Sequence, residues 1–225
     1  MKGRLYGIGV GPGDPELISL KAVRVMKECD VIAVPGKTPA ETYAYETALK
    51  AVPEIGSKPV LGINWPMTKD PEELGKIYRT ACDVIEEQLE KGQSVAFLTI
   101  GDVSVYSTFI YVMKLVREDG HRVEMIPGIT SFSAAASRLG ESLAEHREML
   151  HVVPAGYGGL RDLPGTTVIM KAGKNLSEIK KFAEDHGRTA MMTEKCGLPG
   201  ERIYRSLEEM PDEAGYFATV ILFDR

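Results

Sequence analysis

Residues 5 to 22, LYGIGVGPGDPELISLKA, constrain this chain more than any other stretch. An apolar run reaches glycines at alternating positions (Gly7, Gly9, Gly11, Gly13), then Asp14, then a helical pattern. A strand that ends in glycine and gives way to a helix opens many α/β nucleotide-binding folds. The register excludes two of them. A dinucleotide loop needs G-x-G-x-x-G, yet its third glycine falls on Pro12 counted from Gly7 and on Asp14 counted from Gly9. The acidic residue expected about 20 residues further on has only Asp30 as a candidate, at the wrong end of its strand. PGKT at 35–38 imitates the end of a phosphate loop, but Val31 stands where that motif needs glycine; a plain turn fits better. What remains is G-x-G-P-G-D over 9–14. Pro12 stiffens its turn, and Asp14 is placed to cap a helix starting near Glu16. Taken alone, the stretch serves equally as a tight strand-to-helix connection without a ligand.

The same rhythm continues. Apolar runs at 5–10, 30–35, 94–100 and 121–127 read as strands, and 16–28, 39–51, 71–90, 106–118 and 131–139 as helices. Such alternation predicts a mostly parallel sheet. After about residue 145 the texture changes to MLHVVPA, TTVIMKA, RTAMMTE, ERIYRS and GYFATVILFD, with one strong helix at 176–185. Strands joined by short turns predict a mixed or antiparallel sheet. The expected organisation is therefore two α/β domains, 1–115 and 120–225, with the boundary near 112–122. A length of 225 residues suits that division.

Charge and composition remove several classes. The net charge of −5 argues against a nucleic-acid surface. No apolar run approaches the roughly 20 residues of a membrane span, and the N-terminus has no signal-peptide pattern. Cys29, Cys82 and Cys196 are widely spaced and odd in number, as expected of reduced thiols in a cytoplasmic protein. His146 and His151 form no metal spacing, and no metal site is expected. Met149, Met191 and Met192 read as core filler.

Two further glycine turns accompany the first. FLTIGDVSVYSTF (97–109) runs strand, Gly-Asp, helix; IPGITSFSAAA (126–136) runs strand, Pro-Gly, Thr-Ser and a helix of tiny residues. Three such turns at three strand ends can converge on one crevice of an open sheet.

G-x-G-P-G-D, GD followed by Tyr-Ser-Thr, and PGITS in this order resemble the tetrapyrrole methyltransferases. WPMTKD (65–70), VVPA (152–155), VIMKAG (168–173) and EKCGLPGERI (194–203) are similar to the branch that methylates C20 of precorrin-2 or cobalt-factor II in vitamin B12 biosynthesis. The resemblance spans about residues 4 to 223. It implies the tetrapyrrole methylase fold, two α/β domains with the active-site trough between them, in a homodimer. S-adenosylmethionine is the implied methyl donor. By position, Pro12 lies beside the substrate end of the cleft. Ile100, Gly101, Asp102 and Val105 surround the methionine part, continued by Tyr106, Ser107 and Thr108. Thr130 and Ser131 contact the donor, and Met170 with the Cys196–Gly197 turn flanks the adenine. The family's Gly-Asp-Pro is Gly-Asp-Val here (101–103), which frees φ at the third position and implies a less rigid loop.

Methyl transfer from a sulfonium to carbon is an in-line displacement with a neutral leaving group. Alignment and exclusion of water are the main tasks. A proton leaves C20 afterwards. Asp102 is the first candidate for supporting the sulfonium or removing that proton, and Tyr106 for orienting the macrocycle. Asp102 serves equally as a turn-former bonded to its own loop. The eight substrate carboxylates implied by the resemblance call for cations, with Arg4, Lys37, Lys69, Arg138, Arg147 and Lys171 as candidates; singly, each is more commonly a solvated surface charge. Alternatives within the same fold are another corrin carbon, diphthamide or a ribosomal RNA sugar. Outside enzymes, a nucleotide-sensing module remains.

Overall fold

Five parallel strands form the first sheet: β1 (Arg4–Gly9), β2 (Val31–Pro35), β3 (Val60–Ile63), β4 (Val95–Thr99) and β5 (Arg122–Ile126), in the order β3-β2-β4-β1-β5. The computed structural model describes residues 3–38, 42–65, 70–156 and 159–224. The helices between the strands are α1 (Leu20–Glu28), α2 (Tyr43–Ala51), α3 (Pro71–Glu90) and α4 (Phe109–Glu118). Alternate strand residues feed two core layers. Ile8, Val10, Ala96 and Leu98 meet Val25, Met26 and Ala48, while Leu5, Val95 and Phe97 meet Ile85, Leu89, Phe109 and Val112. A parallel strand with helices on both faces must be apolar throughout, and β4, VAFLT, is buried at every position.

The second sheet is mixed, as its sequence texture predicts. It contains β6 (Leu150–Pro154), β7 (Thr166–Met170), β8 (Thr189–Glu194), β9 (Arg202–Tyr204) and β10 (Ala218–Phe223) in the order β6-β7-β10-β8-β9. Only β6 and β7 pair in parallel; the other pairs are antiparallel. The small residues of α5 (Ser131–Leu139) let Ala135, Ala136 and Leu139 pack onto Val168, Ile221 and Phe223. On the opposite face, Leu176, Ile179 and Ala183 of α6 (Leu176–Asp185) pack with Ile169, Val220 and Leu222.

The contacts divide the chain into two compact units, 1–129 and 130–225. The sequence puts this boundary at 112–122. The strand at 122–126 pairs in parallel with β1, however, and so carries the first unit on to Ile129. Three other local differences have clear causes. The helix expected over 16–28 is a 3-10 turn at Pro15–Leu17, capped by Asp14, followed by α1 with Ser19 as its own cap. The helix expected from 106 starts at Phe109, because Tyr106 is left-handed with φ 49°. The strand β3 was not foreseen: it is short, carries Gly62 and buries only Ile63. Among the described residues, no helix is long and apolar enough to cross a membrane, and no group of three metal-ligating side chains occurs.

Candidate functional site

The order β4-β1-β5 brings three carboxyl ends, Thr99, Gly9 and Ile126, to one edge of the first sheet. That edge is where open α/β sheets bind ligands. The loops leaving it are joined backbone to backbone. Gly101 N donates to Gly11 O at 2.6 Å, and Gly11 N donates to Gly101 O at 3.2 Å. From the other side, a Cβ on Gly128 would lie 2.2 Å from Gly101 O, and a Cβ on Gly9 would lie 2.6 Å from Gly128 N. Any side chain at either position would push the loops apart.

Asp102 fastens this closure. Its Oδ1 accepts from Ser104 N at 2.8 Å and from the Ser104 hydroxyl; its Oδ2 accepts from Gly128 N at 2.9 Å. The residue is only 8% exposed, so each carboxylate oxygen is spent on a protein donor. Val103 is buried among Phe97, Phe109 and Val112. Core packing thus holds Val103 where the family has a proline ring.

The remaining candidates of the first unit follow. Pro12 is buried, and Ile100 and Val105 are half-buried. Tyr106 is 45% exposed in its left-handed conformation, an unfavourable state for a bulky residue. The Ser107 hydroxyl accepts from Phe109 N at 3.2 Å at the start of α4. The Thr99 hydroxyl, at the end of β4, is buried and has no hydrogen-bond partner among the described residues.

In the second unit, Thr130 caps α5 by accepting from Ser133 N at 3.3 Å, and Ser131 is the first helical residue. Met170 ends β7 and packs against the α5 core. Cys196 and Gly197 follow β8 directly, and burial pushes the Cys196 thiol up to about 11. Both β7 and β8 run antiparallel to β10, so their carboxyl ends share one edge. Lys171 and Lys195, each next to a candidate, are left-handed with φ 59° and 53°. Glu194, itself buried, accepts from Gly215 N at 2.7 Å. Neither the Asp102–Gly128 bond nor the left-handed backbone of these two lysines carries a sequence signal.

The candidate cations are scattered. Arg4 pairs with Glu124 at 3.1 Å and Arg138 with Glu201 at 3.3 Å. Lys37 and Arg147 are exposed, and Lys69 lies outside the described residues. Lys171 Nζ sits 5.3 Å from the Tyr216 ring centre. His151 Nε2 lies 3.1 Å from Pro164 O, and His146 is exposed. Met192 is core, but Met149 is 54% exposed and is not filler.

Residues 4–211 match the family described as Tetrapyrrole (Corrin/Porphyrin) Methylases. A Methanocaldococcus jannaschii protein named "Probable cobalt-precorrin-2 C(20)-methyltransferase" is 40% identical over 182 residues, 78% of this chain and 74% of that protein. The precorrin-2 C(20)-methyltransferase of a Sinorhizobium species is 30% identical, covering 98% of this chain and 95% of its own. Among solved structures, the Thermus thermophilus uroporphyrin-III C-methyltransferase complexed with S-adenosylhomocysteine superposes with a TM-score of 0.71 at 24% identity. It covers 99% of this chain and 92% of that one, a likeness of fold.

Proposed function

The chain belongs to the tetrapyrrole (corrin/porphyrin) methylases, and from that premise we propose that it methylates C20 of precorrin-2 or cobalt-factor II in cobalamin biosynthesis. S-adenosylmethionine is the donor. The C20 position is supported by two relatives named for that carbon, at 40% and 30% identity. The structural observation that carries the proposal is the closure of three glycine loops at one sheet edge, with Gly11 and Gly101 exchanging both backbone bonds.

In the reaction the S–CH3 bond breaks as the C20–CH3 bond forms, S-adenosylhomocysteine leaves neutral, and the C20 proton is released. No acid is required for the leaving group, so the protein's contribution is alignment and a dry site. The backbone of Ile100–Gly101 and Val105, together with Thr130 and Ser131, holds the methionine part of the donor. Met170 and Cys196–Gly197 take its adenine side. Pro12 faces the macrocycle and Tyr106 orients it; the exposed ring of Tyr106 on a strained backbone supports that role. The protein acts as a homodimer in the cytoplasm. Three free, buried cysteines support a reducing compartment.

Incubation with S-adenosylmethionine bearing a 13C-methyl group, alongside precorrin-2 and cobalt-factor II in parallel, tests the proposal. One labelled methyl at C20 of either macrocycle is expected. Label on another carbon, or on neither macrocycle, defeats it. Analytical ultracentrifugation checks the dimer.

A further inference from the structure

We infer that Asp102 is a positioning residue rather than a base: it locks the loop after β4 to the loop after β5 across the end of β1, and so holds the donor-binding backbone in one arrangement. This rests on the donor site proposed above, and it turns on which atoms the carboxylate already holds. Loops from β4 and β5 have no reason to touch, since β1 lies between their strands. They meet only because Gly9 and Gly128 lack side chains: Gly128 N would stand 2.6 Å from a Cβ on Gly9, and Gly101 O 2.2 Å from one on Gly128. Glycine permits such an approach but supplies no attraction. The attraction comes from Asp102 Oδ2, which accepts from Gly128 N at 2.9 Å, while Oδ1 holds Ser104 N at 2.8 Å.

Two consequences follow. Three protein donors already sit on the two oxygens of this buried carboxylate, so its place is set by the loops it joins. In addition, the bond holds Gly128 against Gly101, whose carbonyl would stand 2.2 Å from a Cβ on Gly128. Asp102 therefore acts on the donor-binding backbone at Gly101 through Gly128.

Asp102→Asn separates the two roles. An amide keeps one oxygen acceptor and must point its NH2 at one of the two sets of donors, so one side of the lock opens. In the free variant, amide hydrogen exchange over 126–131 should accelerate by about 10-fold or more. The dissociation constant for S-adenosylhomocysteine and the KM for S-adenosylmethionine should rise about 10- to 100-fold, the loss of one hydrogen bond to a charged group. At saturating donor, kcat should stay within about 3-fold, with its pH profile unchanged. Ser104→Ala, which removes only the hydroxyl contact, should shift these quantities by less than about 3-fold.

Unchanged exchange over 126–131 overturns the lock whatever the ligand does. A collapse of kcat at unchanged donor affinity, with the acid limb of the pH profile lost, overturns it in favour of a catalytic base. Faster exchange in the variant, with no S-adenosylhomocysteine binding by the wild type, keeps the lock and defeats the donor site instead.

Discussion

The two units build their strand ends by opposite means. In the first, glycines stand at the end of β1 (Gly9) and two residues beyond β4 and β5 (Gly101, Gly128), and the geometry depends on side chains that are missing. Gly9 and Gly128 admit neighbouring backbone to within 2.6 and 2.2 Å of where a Cβ would be. In the second, β7 and β8 are followed by Lys171 and Lys195, whose backbones are left-handed at φ 59° and 53°. Glycine would adopt that conformation at lower cost. One edge is closed by absence, the other strained by presence. The comparison predicts that adding carbon to the first and removing it from the second should change stability in opposite directions.

The largest effect is expected at Gly128. Gly128→Ala forces a methyl against Gly101 O, and neither backbone can move without parting the loops. About 3 kcal/mol of stability should be lost in guanidinium unfolding. A loss below about 1 kcal/mol would mean that the loops separate freely, and the contrast between the units would fail.

Cysteine reactivity asks where the units agree. Burial pushes the thiols of Cys29 and Cys82 up to about 12 and that of Cys196 up to about 11. A raised value keeps the unreactive thiol form at pH 8, so alkylation in the native protein should be about 100-fold slower at Cys196, and about 1,000-fold slower at Cys29 and Cys82, than in the unfolded chain. Cys196 should be the fastest of the three, by about 10-fold. Mass spectrometry after timed iodoacetamide exposure reads both quantities. Fast labelling of Cys29 or Cys82 would contradict their burial in the first unit's core.

Arg188 measures how firmly side chains hold the second unit. Its side chain is 5% exposed and binds Asp162 Oδ1 from both Nε and Nη2, at 3.0 and 2.7 Å; Nη1 donates to Gly165 O at 2.8 Å. Arg188→Ala should cost about 2 kcal/mol in the same unfolding assay. The smallest effect carries the opposite sign. Lys195→Gly relieves about 1 kcal/mol of left-handed strain but gains chain entropy in the unfolded state, for a net stabilisation of about 0.5 kcal/mol. If the variant is less stable by that amount, the lysine supports its turn and the second unit is not strained there.

Legibility in the sequence follows the same contrast. The glycine loops announce themselves because glycine after an apolar run has few uses, and their convergence was readable from three repeats of one pattern. The strands β1, β2, β4 and β5 and the helix at 176–185 were readable from apolar period and length. Edge strand β3 was not: Pro59 precedes it, Gly62 interrupts it, and three of its four residues are not fully buried. The left-handed Tyr106, Lys171 and Lys195 left no trace, since backbone torsion has no composition signal except through glycine or asparagine. The partner of Asp102 was equally hidden. An aspartate after glycine predicts a bond to its own loop, as to Ser104 N, while Gly128 lies 26 positions away and meets it only through the order β4-β1-β5. The unit boundary near 129 is hidden for the same reason, because only the pairing of β5 with β1 assigns that strand to the first sheet.

The central claim is that the methyl donor binds at the glycine loops that close on one another at the edge of the first sheet. Titration of 15N-labelled protein with S-adenosylhomocysteine, followed by amide chemical shifts, tests it most directly. Saturable shifts at Gly11, Gly101, Val105 and Gly128 are predicted. No shifts at these loops, or shifts centred on the 280 Å³ cavity between Val153, Asn175 and Ile179, would contradict it.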